Sequence, residues 1–175
     1  MSSIQTNRMA LKRPVPKDIS ILAEILLKED VATYLPFTPE DVEMSQAKEI
    51  LSKKHSDEVC KMWVLETLAT KKKIGVVEIY KINKQHRRGV IGYYLDPAYW
   101  GRGYAYEAVK AVCEEAFSNN YARIQAEVVV GNTASMDLLQ SLGFKEEGVL
   151  RSHVAAKNAR KDVIVYGLLD GDIHV

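Results

Sequence analysis

A chain of 175 residues, 47% hydrophobic and 27% charged, has enough apolar material for a packed core, and one domain over residues 1–175 is expected. Its 24 basic and 23 acidic residues leave a net charge of +1, too small a field to grip nucleic acid. No apolar run approaches the roughly 18 residues of a membrane span and Cys60 and Cys113 suit neither a disulfide framework nor a zinc site, so the expectation is a cytoplasmic protein with reduced thiols, no metal, and no membrane or nucleic-acid partner.

In chain order, "RMALKR" from Arg8 to Arg13 alternates weakly and predicts a short first strand. In "PKDISILAEILLKED", Ile19, Leu22, Ala23, Ile25 and Leu26 recur at helical spacing, with Asp18 placed to cap the helix. "VATYLPFTPED" is a proline-punctuated loop, and a second helix is predicted from Pro39 to Lys54, since proline suits a first turn. "KMWVLETLA" and "KKIGVVEIYKI" read as strands joined by the charged turn "TKKK", and "GVIGYYLDP" as a third. A helix then runs to "SNN", "ARIQAEVVV" is a strand, and "TASMDLLQSL" is a helix stopped by Gly143. "GFKEEGVLRSHVA" and "KDVIVYGLLD" close the chain as a hairpin, while Trp63 and Trp100 are expected to pack.

Consecutive strands in the middle imply antiparallel pairing, and the strand–helix–strand step through residues 90–130 implies a local parallel pair. The predicted fold is α/β, a mixed central sheet with helices on both faces.

The stretch "LDPAYWGRGYAYEAVKAV" places Gly101, Gly103 and Ala105 at a helix start. Small residues let a ligand approach the main chain, and the free amides and dipole of a helix N-terminus favour an anion, phosphate above all. Arg102 adds a charge. The same glycines also suit a plain flexible connection. A P-loop would need a Gly-Lys-Ser/Thr ending, and a dinucleotide fingerprint would need a third glycine where Tyr106 stands.

This segment resembles the acyl-CoA loop of the GCN5-related N-acetyltransferase (GNAT) superfamily, Gln/Arg-x-x-Gly-x-Gly/Ala, here Trp100-Gly101-Arg102-Gly103-Tyr104-Ala105. With Trp in the first slot, "NTASMDLLQSLGF" downstream and the tail "EEGVLR…D…VYGLL", the chain is similar to the RimJ/RimL branch, which acetylates ribosomal-protein N-termini. The resemblance covers residues 8–170 and implies that the fold is GNAT-like and that acetyl-CoA is a cosubstrate. It implies that Tyr93, Tyr94 and Leu95 pair through their backbone with the pantetheine arm, and that an amide there polarises the thioester carbonyl. Such an arrangement can be worth roughly 3–4 kcal/mol. It further implies that Gly101, Arg102, Gly103, Tyr104, Ala105 and Tyr106 hold the pyrophosphate, that Asn132 bonds the pantetheine, and that Ser135 lies near the thiol as a catalytic candidate, the serine that in some members of the branch stabilises the leaving thiolate. Asn132 equally suits an ordinary helix cap.

Direct transfer to an amine also needs a proton acceptor. Alternation sets Arg123, Gln125 and Glu127 on one face of their strand, with Ile124, Ala126, Val128 and Val130 on the other. Glu127, five residues before Asn132, matches the glutamate base of related ribosomal-protein-alanine acetyltransferases, and it equally suits a surface ion pair. Those relatives carry a Tyr acid where this chain has Leu139, and much of the branch has a Glu before "IGY" where this chain has Val90. A thiolate can leave without a dedicated acid, because a free thiol has a pKa of about 8.5. His153 and Glu78 are fallback bases. Tyr34, Leu35 and Phe37 resemble the acceptor-side loop. The expected acceptor is a protein N-terminal α-amine, with a small amine (antibiotic, polyamine or amino acid) or a catalytically weak CoA-binding module as alternatives, in a monomer or homodimer.

Overall fold

Alternation of apolar side chains along the strands decides which face of the sheet each helix covers. The computed structural model describes residues 3–35, 42–53, 60–156 and 159–173. The strands are β1 (Ile4–Gln5), β2 (Met9–Lys12), β3 (Cys60–Thr67), β4 (Lys73–Asn83), β5 (Arg88–Leu95), β6 (Arg123–Val129), β7 (Lys145–Ala156) and β8 (Ala159–Leu168). The helices are α1 (Asp18–Leu26), α2 (Glu29–Ala32), α3 (Met44–Lys53), α4 (Tyr104–Ser118) and α5 (Thr133–Ser141). The strands form one sheet in the order β1-β2-β3-β4-β5-β6-β8-β7. Every junction is antiparallel except β5–β6, whose connection is α4.

On β3, Trp63 and Leu65 face one side, Met62 and Val64 the other. The first side, with Ile79, Ile91, Ile124 and Tyr166, packs against Val109, Val112 and Cys113 of α4 and Leu139 of α5. The second side packs against Ile19, Leu22, Ala23 and Leu26 of α1 and Ala47 and Leu51 of α3. Helices therefore cover both faces, as predicted. Each fully buried Leu or Ile contributes about 1.5–3 kcal/mol relative to exposure. Cys60 and Cys113 are both buried and neither is in a disulfide, and no helix among the described residues is long and apolar enough to cross a membrane.

Several boundaries depart from the sequence pattern. β1 was not legible, because two residues carry no periodicity. The α1 segment breaks at Leu27–Lys28, where Lys28 turns extended, and restarts as the short α2. The second predicted helix is found at Met44–Lys53, its expected start at Pro39 lying outside the described residues. Val130 leaves the strand pattern, since it follows the end of β6 and is exposed.

The cap of α1 also needs correction. Lys17 is the N-cap, without a side-chain bond, and Asp18 is the first helical residue, 3% exposed. The Asp18 carboxylate accepts a hydrogen bond from the Val15 amide at 3.0 Å and pairs with Lys73 of β4. It ties the helix to the sheet instead of closing its end. Asp18→Ala is expected to cost about 2–4 kcal/mol, because it strips the partner from an ammonium and an amide at once. Asp18→Asn, which keeps an acceptor for Val15, should cost less. Chemical denaturation of the two variants checks that order.

Candidate active site

β5 and β6 stay in register only from Arg88↔Arg123 to Ile91↔Ala126. Beyond that point β6 runs on against β8, and β5 runs on against β4. The sheet forks there. The Asp96 amide donates to the Ile74 carbonyl on the β4 side at 2.8 Å. Alternation therefore turns the main-chain groups of Tyr93 and Leu95 into the fork. The Leu95 carbonyl is taken by the Trp100 indole N–H at 2.9 Å. The remaining groups form an open strand edge that calls for a hydrogen-bonding partner.

Beside the fork lies the start of α4. Gly101 and Gly103 hold φ of 67° and 76°, and Gly103 is the N-cap, with no side chain capping the helix. A Cβ at Gly101 would meet nothing within 4 Å, so it is the left-handed backbone, not crowding, that requires glycine. The exposed Arg102 guanidinium makes no hydrogen bond or ion pair among the described residues.

Arg8 fixes this loop from 99 residues away. Its Nε pairs with Glu107 at 2.6 Å and its amide donates to the same carboxylate at 2.9 Å. Its Nη1 donates to the Arg102 carbonyl at 2.7 Å, and its guanidinium lies 4.4 Å from the Tyr104 ring centroid. Tyr104 in turn meets Tyr99 edge-on at 5.8 Å. Burial pushes the Glu107 carboxyl up, but bonds from Thr6 and Arg8 and the Arg8 charge outweigh it and hold it below the usual range. Ala105 and Tyr106 pack onto the first core. Trp100 is 48% exposed, so it braces the loop instead of packing in the core as expected, whereas Trp63 is buried.

On the α4 side of the fork, the Asn132 side-chain Oδ1 accepts from the Ser135 amide at 3.3 Å, a helix cap for α5. The Tyr93 hydroxyl and Ser135 Oγ are 2.6 Å apart, joining β5 to α5 where the strands have separated. Burial raises the Tyr93 phenol, the Ser135 bond lowers it and Cys113 raises it, leaving it at about 12. Tyr94 points the other way, its hydroxyl donating to the Leu22 carbonyl at 3.4 Å. Burial, then Glu78, pushes that phenol up as well.

The opposite face carries carboxylates. Gly92 is in register with Glu78 and follows the Ile91↔Ala126 pair, so it sits level with Glu127. A Cβ on Gly92 would lie 3.2 Å from the Tyr80 ring and 3.6 Å from Glu78. Burial, then Glu127, Glu78 and Cys60, raise the Tyr80 phenol. Glu127 accepts from Lys81 Nζ at 3.1 and 3.2 Å and from Gln125 at 3.1 Å. Lys81 reaches it from a bulge, with φ of 50°. A cleft of about 440 Å³ is lined by Lys81, Ile82, Asn83, Arg88, Gln125 and Glu127, among others.

His153 lies exposed in a bulge of β7, an outer strand two removed from β6, and makes no hydrogen bond to Glu127 or Ser135. Tyr34 is 37% exposed, while Leu35 packs on the second core. Phe37 lies outside the described residues. Lys161 of β8 donates to the Thr33 carbonyl at 2.9 Å, tethering that loop to the closing hairpin. Arg8 and Lys81 were missed by sequence reasoning, for neither belongs to a motif. No cluster of three or more His, Cys, Asp or Glu suited to a metal occurs among the described residues.

The family model described as "Acetyltransferase (GNAT) domain" matches residues 8–145. An uncharacterised N-acetyltransferase, p20 of Bacillus licheniformis, is 31% identical over 173 residues, 97% of each chain. Spermidine N-acetyltransferase from Vibrio cholerae, solved with CoA and spermine, superimposes with a TM-score of 0.85 at 23% identity, over 95% of this chain and 98% of that one. The acetyltransferase from Salmonella typhimurium that modifies the N-terminal serine of ribosomal protein L7/L12 gives 0.85 at 18% identity, over 96% and 99%.

Removing the Arg8 clamp should loosen the loop without unfolding the sheet. Arg8→Ala is expected to raise amide exchange across residues 101–107 about tenfold or more, with little change elsewhere. The wild type should show a related loss in acid. Because the Glu107 carboxyl is depressed in the fold, its contribution is full above the unfolded value of 4.5 and fades as pH falls through the lower folded value. Hydrogen exchange of both proteins checks both expectations.

Proposed function

This chain belongs to the GNAT acetyltransferase family and is an N-acetyltransferase, and from that premise we propose that acetyl-CoA is its cosubstrate and a primary amine, first of all a protein N-terminal α-amine, its acceptor. The observation that carries the reading is the fork between β5 and β6, opening beside a helix start that no side chain caps. An open strand edge suits an amide-bearing arm, and unclaimed helix amides suit a pyrophosphate. The N-terminal-serine acetyltransferase and the spermidine acetyltransferase share this fold, and the latter holds CoA.

In this reading the amides from Gly101 to Tyr106, with Arg102, hold the pyrophosphate of acetyl-CoA. Tyr93, Tyr94 and Leu95 supply the strand edge for its pantetheine arm, and Asn132 bonds it from the α5 cap. A main-chain amide in the fork polarises the thioester carbonyl, worth roughly 3–4 kcal/mol at the transition state. Glu127 accepts the proton that the attacking amine must lose as the C–N bond forms, and the electron pair of the breaking C–S bond stays on sulfur. Its ion pair with Lys81 has to open or slide for that role. Leu139 offers no proton, which a thiol leaving group of pKa about 8.5 tolerates. His153, exposed and two strands away, falls behind Glu127. Tyr34 is placed to touch the acceptor, and Leu35 to hold the loop that carries it.

A second acceptor class is favoured by one feature. Glu78 and Glu127 stand level with Gly92 on one face, a pair of carboxylates suited to a small polyamine. Thiol release from acetyl-CoA with a serine-initiated peptide or with spermidine decides between the two, and release with neither favours a binding module.

The cosubstrate is tested by thermal unfolding with acetyl-CoA, CoA, ATP and NAD. A ligand at 100 times its dissociation constant stabilises by about 2.7 kcal/mol. A rise in Tm with the two CoA species alone is expected, and no rise with either removes the reading. Glu127→Gln should lower kcat about 100-fold and flatten the acid limb of the pH–rate profile, with KM for acetyl-CoA little changed.

A further inference from the structure

The cleft beside Glu127 carries more positive than negative charge. Its lining holds one carboxylate, Glu127, and two cations, Lys81 and Arg88, around a space of about 440 Å³, which is ample for the end of a peptide. Glu127 accepts from Lys81 and Gln125. Arg123, in register with Arg88, gives its guanidinium to Glu147 at 2.6 Å. Arg88 is different: its exposed guanidinium makes no hydrogen bond or ion pair among the described residues. Filling the cleft would add to the imbalance. Lys81 is 58% exposed in its pair with Glu127, and such a pair is weak in water, so an amine arriving at Glu127 displaces it. Both cations then face the bound acceptor.

We propose that this cleft selects acceptors by charge: it takes a peptide whose α-amine meets Glu127 and whose early acidic side chain is seated on Arg88. This deepens, and rests on, the reading of a peptide α-amine as the acceptor and Glu127 as its base. A guanidinium can hold a carboxylate through two parallel N–H donors, which gives Arg88 a preference for an acid over a neutral polar group. Register sets the spacing. Arg88 pairs with Arg123, four residues before Glu127, so the two lie about 13 Å apart along strands that rise about 3.3 Å per residue. An extended peptide running from Glu127 toward Arg88 has the same rise, and the reach of the two side chains shortens the gap. The carboxylate therefore belongs to its second, third or fourth residue. A second ammonium at that place, as in a basic peptide or a polyamine, would meet like charge from Arg88 and the displaced Lys81.

The test uses three serine-initiated peptides, identical except for aspartate, asparagine or lysine at their second to fourth residues, with spermidine beside them. Calorimetry in the presence of CoA gives their dissociation constants without turnover, and thiol release from acetyl-CoA gives transfer. The aspartate peptide is expected to bind about fivefold tighter than the asparagine peptide and about tenfold or more tighter than the lysine peptide, the gap narrowing as salt is raised. Arg88→Ala should shrink that gap and Arg88→Glu should invert it, with thermal unfolding showing that each variant is folded. Equal affinities in the wild type, tighter binding of the lysine peptide or spermidine, no binding of any peptide, or the full gap kept in Arg88→Ala would each overturn the proposal while leaving acetyl transfer to another amine open. The expected order of affinities with no thiol release from any acceptor is a different result: it upholds the charge preference of the cleft and removes the transfer reading.

Discussion

The parting of β5 from β6 after Ile91 and Ala126 governs everything else in this molecule. A parallel pair four registers long is short, and each strand is held on its outer side by an antiparallel neighbour. Those neighbours keep both strands extended past the point where they separate. Backbone groups can then face an opening without the sheet collapsing, although unpaired main-chain groups are costly in a closed interior. The α4 crossover begins at the end of β5 and α5 at the end of β6, so both helix N-termini arrive at the same opening. Site geometry is thus a product of topology first and of side chains second.

Around that opening the two faces of the sheet differ in chemistry. The α4–α5 face holds hydroxyls and helix ends: Tyr93, Ser135 and Asn132. The α1–α3 face holds Glu78, Tyr80 and Glu127, with Gly92 making room for the Tyr80 ring beside Glu78. Under the proposed function, thiol chemistry and amine chemistry meet at the fork from opposite sides of the sheet.

Local patterns were the legible part. The glycine loop, the strand alternation that set Glu127 apart from Ala126 and Val128, and the Asn132 cap were all read from neighbours in sequence. Asp18 was misread because its partners, Val15 and Lys73, include one 55 residues away. The Arg8 clamp spans 99 residues and leaves no mark in composition or period. Lys81 reaches Glu127 only because a bulge gives it a left-handed backbone, which nothing in "IYKIN" announces. Leu35 was grouped with Tyr34 by resemblance to the acceptor-side loop, and it packs against the second core. Periodicity reports which face a residue takes. It is silent on which distant residue will stand opposite.

The sheet order has a consequence for how the chain is made. β8, the last strand in sequence, is not an edge: it lies between β6 and β7 and pairs with both. Until it is synthesised, β6 presents an unpaired edge from Ile124 to Val129 while the rest of the central sheet can already be assembled. An exposed apolar edge is a template for pairing with other chains. The interval between translation of β6 and of β8 is therefore the time at which this protein is most exposed to aggregation, and lesions that delay or weaken the closing hairpin would be felt as loss of soluble yield before any loss of chemistry.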